Sequence, residues 1–203
     1  MLQPAVAHLA TPSPRWPSIL RPIATTFRIR DEKPGDWHAR EALLDTCFGP
    51  ARLEKTCERL REGRLPAQGL SFVAADTAGL VATLRLWHIE AGDRAALLLG
   101  PLAVALGRRS AGIGAALVEH GLRRARRLSH RAVLLVGDAP YYERFGFAHD
   151  LAAGFTLPGP VDEDRFLARE LVPGALAGAR GRVVGAGEFM REPRVAPHDR
   201  AAA

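Results

Sequence analysis

The chain has 203 residues, 47% of them hydrophobic and 25% charged, which suits one domain with its own core and a tail at each end. No run approaches the roughly 18 uncharged apolar residues of a membrane helix. Two cysteines, Cys47 and Cys57, are too few for a disulfide scaffold or a zinc cage, so a reducing, cytoplasmic setting is expected. The net charge is +6, and all but two of the 28 basic residues (Lys33 and Lys55) are arginine. Seven of those arginines fall between Ala105 and Arg131, against the single acid Glu119. Such a localised field attracts a polyanion: a nucleotide cofactor, a nucleic acid or an acidic surface.

Residues 1–25 hold five prolines and read as a flexible leader without a cleaved export signal. Phe27–Arg30 alternates apolar and charged residues, as a first or edge strand does. Pro34 and Asp36 then suit a helix start, and a helix is expected over 36–48, stopped by Gly49-Pro50. A second helix is expected over Arg52–Arg61. From Leu70 the period changes to two. Three successive strands, 70–75, 80–89 and 95–104, are separated by Asp76-Thr77-Ala78-Gly79 and Ala91-Gly92-Asp93. A helix follows over 112–128, burying Leu117, Val118, Gly121, Leu122, Ala125 and Leu128, with Glu119, Arg123, Arg124 and Arg127 outside. Ala132–Val136 is an uninterrupted apolar strand, fit for a sheet covered on both faces. A short helix is expected over 139–145, a last strand over 166–171, and a partly disordered extension over 176–203. The helical crossover from the 95–104 strand to the 132–136 strand makes those two parallel. The order β-α-α-β-β-β-α-β-α-β predicts an α/β fold with a mixed sheet and helices on both faces, over residues 26–175.

The chemistry concentrates in residues 99–127. A strand ends at Val104, and Arg109-Ser110-Ala111-Gly112-Ile113-Gly114 opens a helix. Free N–H groups of a first helical turn, with the dipole behind them, favour a phosphate. Gly112 and Gly114 let backbone approach it, and Arg108 and Arg109 add charge. A G-x-G pair alone also fits a tight loop without a ligand. It is not a P-loop, because the lysine and spacing are absent, and Leu117 stands where a dinucleotide fingerprint has its third glycine.

Leu102-Ala103-Val104, then Arg109-x-x-Gly112-x-Gly114 at a helix start, then Tyr142-x-x-x-Gly146-Phe147 together resemble the Gcn5-related N-acetyltransferases (GNAT), nearest a bacterial branch of small acetyltransferases through LLVGDAPYYERFGF. The resemblance covers about residues 26–172 and implies a mostly antiparallel GNAT-like sheet. It implies that Leu102, Ala103 and Val104 offer backbone groups to the pantetheine arm of acetyl-CoA. The amides of Arg109, Ser110, Ala111, Gly112, Ile113 and Gly114 would hold the pyrophosphate, and Tyr142 would protonate the departing thiolate. No metal is implied. The partners implied are a small-molecule or peptide amine and a second copy paired through late strands. Two departures stand out: Ala105 where the family often has an acid, and Gly137-Asp138 where many members carry asparagine.

The chemistry can be followed from below. A phenol of pKa ~10 can donate to a thiolate whose acid form lies near ~8.5; packing beside Phe145 and Phe147 is the other reading of Tyr142, and packing is expected for Tyr141. An alkylamine must lose a proton first. His88 and Glu90 have suitable chemistry, or form a surface pair without a role. His120 is expected in solvent, and both thiols buried and inert. Arg123, Arg124, Arg126 and Arg127 meet the 3′-phosphate, an acidic acceptor or only solvent. The acceptor is expected against Arg52–Arg64 and Ala152–Asp164, where Asp162, Glu163 and Asp164 attract a cationic amine or merely face water. Two further functions compete with acetyl transfer. One is a CoA-binding regulatory domain without catalysis. The other is a basic nucleic-acid-binding module, disfavoured because no aromatic residue lies between Ala105 and Arg131 to stack a base.

Overall fold

The structure is a computed structural model and describes residues 26–190; the expected leader over 1–25 and the end of the C-terminal extension lie outside the described residues. The chain runs β1 (Arg28–Asp31), α1 (Trp37–Phe48), β2 (Ser71–Asp76), β3 (Gly79–Ala91), β4 (Arg94–Val104), α2 (Ile113–Arg127), β5 (Ala132–Val136), α3 (Ala139–Glu143), β6 (Phe155–Thr156), β7 (Phe166–Glu170) and β8 (Gly181–Gly185). The sheet order is β1-β2-β3-β4-β5-β7. Every neighbour on that path is antiparallel except β4 and β5, which are parallel as the helical crossover requires. The expected mixed, mostly antiparallel sheet with helices on both faces is therefore the observed one.

Alternation along the strands sorts side chains to two faces. Leu84, Leu86, Leu97, Leu99, Val133 and Leu135 join Ile113, Leu117, Val118, Leu122 and Ala125 of α2 in the larger core. On the other face α1 lays Leu43 and Leu44 against Ala103. A further cluster there gathers Trp87, Ile89, Leu98 and Leu134 with Phe155, Phe166 and Val183. Burial of this kind contributes about 25 cal/mol per Å² of apolar surface, the main stabilising term in the fold.

α1 begins one residue after its expected start, because Pro34–Asp36 forms a single tight turn first. Asp36 fixes that turn: it accepts from the Lys33 amide at 2.7 Å and takes a two-pronged bond from Arg30 at 2.6 and 2.7 Å. The Arg30 guanidinium holds the Asp36 carboxyl down at about 2.

Three expectations are corrected. The helix expected over Arg52–Arg61 is only two short turns, Pro50–Glu54 and Glu58–Leu60, interrupted by extended backbone at Lys55. Long-range contacts override its helical pattern: Arg52 turns back to Asp45 of α1, while Thr56 and Arg59 donate to the carbonyls of Pro160 and Pro158. The strand at 166–170 is not the last, because β8 pairs antiparallel with the end of β3, Ile89↔Gly185 to Ala91↔Val183. The sheet thus continues into residues expected as an extension. Leu128, expected in the buried stripe of α2, is 44% exposed because the helix has ended at Arg127.

Candidate active site

A cleft opens where two strands part. β4 and β5 are paired only at Leu97↔Val133 and Leu98↔Leu134, so from Leu99 to Val104 β4 has no strand neighbour on that side. A cavity of about 1080 Å³ fills the gap. Leu99–Leu102 and Arg109 form one side of it, and Gly137, Asp138, Tyr141 and Tyr142 the other; parts of 52–61 and 160–165 close its far end. β4 is bulged here: Leu84 faces Leu102 but Leu86 faces Leu99, so β4 carries one residue more than β3. The buried Trp87 indole donates to the Gly100 carbonyl at 2.7 Å and pins the bulge. Bulges of this kind re-aim backbone groups beside a site. Pro101 has no N–H, so the first amide available past the bulge is that of Leu102.

The strand edge leads to the N-terminus of α2. Gly112 takes the left-handed conformation, φ +77°, as the residue before the helix, where a side chain would be strained. The first main-chain bond of the helix runs from the Ala116 amide to the Gly112 carbonyl, 3.0 Å. The earlier amides of this turn have no helical partner. Residues 109–112 are exposed, so no side chain covers that corner, while the Ile113 side chain is core and only its amide is on offer.

Gly114 has a different job from the one its pattern suggests. A Cβ there would lie 2.8 Å from the Tyr141 hydroxyl and 3.4 Å from Val104 Cγ2. The space is taken by a tyrosine, not left to a ligand. Arg108 is likewise committed: its Nη2 lies 2.8 Å from Asp76 Oδ2, which is buried and makes no hydrogen bond. Asp76 Oδ1 accepts from the Ala78 amide at 2.7 Å, so the pair ties the loop ahead of α2 to the β2–β3 turn. Arg109 makes no ion pair among the described residues.

Tyr142 is half-buried, its ring 5.9 Å from Phe147 and 4.9 Å from Tyr141, centroid to centroid. Among the described residues its hydroxyl has no hydrogen-bond partner, and it is not one of the buried unsatisfied atoms, where Asp76 Oδ2 stands alone; the residue lines the cleft. Burial first, then Tyr141 and Asp138, pushes its pKa up from the usual phenol value, which keeps the group protonated and able to donate. Gly137 makes room for that ring: a Cβ would lie 2.3 Å from Tyr142 Cε2. The departure from asparagine at this position thus fits the way the tyrosine is seated.

The other residues expected from the sequence divide. Leu102, Arg109 and Tyr142 line the cleft; Ala103 and Val104 continue the same strand edge, and Ser110–Gly114 its far corner. His88 and Glu90 do not line it; His88 instead stacks near His130, 5.4 Å away. His120 is not in solvent but half-buried, edge-on to Phe72 at 4.8 Å, and burial lowers its pKa. Neither thiol is fully buried: Cys47 donates to the Val104 carbonyl at 3.4 Å, and Cys57 lines the cleft with its pKa raised by burial. Of the α2 arginines, Arg123 meets Glu119 and Arg124 meets Asp31, each at 3.5 Å, which breaks up the basic field. Among the described residues no group of three or more His, Cys, Asp or Glu could hold a metal, and no helix is long and apolar enough to cross a membrane.

A ladder of charges lies behind the far end of the cleft and was not visible in the sequence. Arg85 and Arg40 meet Glu32 at 2.6 and 2.8 Å, Arg40 meets Glu41 at 2.6 Å, and Arg52 meets Glu41 at 2.5 Å and Asp45 at 2.7 Å. Arg40 and Glu32 are buried, at 3% and 7% side-chain exposure.

The family model of the acetyltransferase (GNAT) domain matches residues 67–149. A protein of Escherichia coli K12, the uncharacterized N-acetyltransferase YhbS, is 32% identical over 162 residues, which span 76% of this chain and 93% of that one. The crystal structure of E. coli YhbS in complex with CoA superposes with a TM-score of 0.68 at 29% identity, covering 79% of this chain and 89% of its own. A GNAT family acetyltransferase from Brucella melitensis in complex with acetyl-CoA shares the fold, with a TM-score of 0.61 at 24% identity over 80% of this chain and 97% of that one.

Proposed function

The chain belongs to the GNAT family of acetyltransferases, enzymes that use acetyl-CoA as co-substrate, and from there we propose that it moves the acetyl group directly onto a primary amine, with Tyr142 as the acid. One observation carries this reading. The unpaired edge of β4 as far as Leu102, Arg109 just ahead of the uncovered start of α2, and the protonated Tyr142 line one cleft.

Each group has a task. The coenzyme supplies an acetyl group activated as a thioester. The β4 edge from Leu102 to Val104 offers main-chain groups to an extended chain lying alongside, and the same amides polarise a carbonyl at the bulge. The amides of 110–114 and the α2 dipole bind the diphosphate, with the Arg109 side chain beside them while its own amide turns back to the Leu106 carbonyl at 3.4 Å. Tyr142 donates its proton to the leaving sulfur. No histidine is among the described residues lining the cleft, so the amine's proton leaves through water or through Asp138 or Asp162. The free thiols Cys47 and Cys57 support a cytoplasmic location as part of the same proposal.

The test combines two measurements. Calorimetry with CoA should give binding that weakens as salt rises. Acetyl-CoA turnover is then followed against amines, amino acids, polyamines, aminoglycosides and peptide amino termini, with mass detection of the acetylated product. Absence of any acetylated amine while CoA binds would overturn the amine acceptor, and absence of heat with CoA would overturn the assignment of the cleft.

A further inference from the structure

The far end of the cleft brings two arginines together. Arg61 is 9% exposed and Arg52 16% by side chain, and both line the cavity. Each is braced from one side. Arg52 spends Nε on Asp45 and Nη2 on Glu41. Arg61 gives Nε to the Cys57 carbonyl at 3.1 Å and Nη2 to Glu58 at 2.8 Å. Neither Nη1 has a hydrogen-bond partner among the described residues. Burial lowers the pKa of Arg61, and beyond the opposing influence of Glu58 and Cys57 the nearby Arg52 charge lowers it further. Both guanidinium groups thus line one cavity with an Nη1 to spare, and like charges on one cavity wall repel less when an anion lies between them.

Their neighbours are occupied otherwise. Arg59 donates to the Pro158 carbonyl at 2.9 Å, and Lys55 sits over the Phe48 ring at 4.9 Å. The carboxylates Glu54, Asp138 and Asp162 line the same cavity without bridging to either arginine, and they suit a cationic amine. We propose that Arg52 and Arg61 form an oxyanion subsite, and that the acceptor amine carries a carboxylate or phosphate seated between them. Planar guanidinium forks with spare N–H groups match both anions. The substrate assignment rests on the acetyl-transfer reading above, whereas the anion site does not.

Acetyl transfer to glycine, glutamate and phosphoethanolamine is compared with transfer to glycine methyl ester, ethanolamine and spermidine. The acid-bearing amines should lead in kcat/KM by at least ~10-fold, since a site built for a charged group discriminates against analogues lacking it. Glycine against phosphoethanolamine separates carboxylate from phosphate. R61Q and R52Q should each remove the preference through KM and leave acetyl-CoA affinity within ~2-fold; R61K, which keeps the charge, should retain part of it. Equal or better turnover of the neutral amines or spermidine overturns the proposal. So does a loss of acetyl-CoA affinity in R61Q and R52Q, which would place these arginines on the coenzyme's phosphates. Should no amine react, inorganic phosphate and N-acetylglycine are titrated into the CoA-loaded protein, or into the free protein if CoA gives no heat. Binding that both variants weaken ~10-fold supports the subsite, and no binding overturns it. Failure of CoA to bind breaks the acetyl-transfer reading alone.

Discussion

The two ends of the cleft are built from different materials. At the end proposed for the coenzyme the groups on offer are peptide N–H and C=O, supplied by a bulged strand edge and a helix start, and the side chains there mostly fill space. At the end proposed for the acceptor the wall is short turns held by charged side chains, from Arg85 through Glu32, Arg40 and Glu41 to Arg52. Backbone recognition tolerates sequence change as long as the path of the chain is kept. A wall of ion pairs tolerates it less, because Glu32 and Glu41 are each shared by two arginines and removal of one member disturbs bonds on both sides of it. The first end therefore suits a ligand common to a family, and the second suits a ligand particular to one member.

The contrast makes graded demands. Arg40→Met should have the largest effect, lowering stability by about 3 kcal/mol, because it removes three charge-assisted hydrogen bonds and leaves buried Glu32 to Arg85 alone; urea unfolding measures it, and a loss below about 1 kcal/mol would mean the ladder does not hold the wall. Tyr142→Phe should lower kcat by about 100-fold, with acetyl-CoA affinity within ~2-fold; unchanged turnover removes the hydroxyl from the reaction. Gly114→Ala must displace the Tyr141 oxygen 2.8 Å away and should weaken acetyl-CoA about 10-fold by calorimetry, whereas Arg109→Gln should change it only ~3-fold. The reverse ranking would put the diphosphate on side-chain charge instead of on amides. Asp36 should matter least. Its carboxyl titrates at about 2 in the folded chain against ~3.9 unfolded, so its contribution is complete above about pH 4 and is lost as pH falls toward 2. At this partly exposed pair the loss should stay below about 1 kcal/mol, and Asp36→Asn should flatten the acid limb of a thermal-melt series by that amount.

Local pattern made much of this molecule legible before its structure. Period-two alternation marks β2, β3 and β4, Asp76–Gly79 marks the turn between the first two, and the apolar stripe marks α2. What the pattern missed depends on partners distant in sequence. β8 is five residues with one buried side chain, Val183, and exists because the end of β3 is left unpaired. The Arg52–Arg61 segment has helical spacing but is divided by contacts to α1 and to Pro158 and Pro160. In the cleft, the glycine turn and the tyrosine motif were readable as positions. The separate duties of Gly112 and Gly114, the fit of Gly137 to the Tyr142 ring, and the commitment of Arg108 to Asp76 were not. Each is set by an approach of a few ångströms between distant segments. The Arg52–Arg64 segment was expected near the acceptor, but Arg52 and Arg61 were not legible as a pair, since nine residues apart on an expected helix they would not share a recess.

The parting of β4 from β5 after two residue pairs leaves a row of peptide groups whose natural complement is another extended chain. If the coenzyme arm lies along it as proposed, that row is until then the least finished part of the sheet, equally receptive to a stray strand from a neighbouring molecule. Coenzyme supply should then govern more than reaction rate: a saturated enzyme gains its missing neighbour and melts higher, while a starved one clumps sooner on warming.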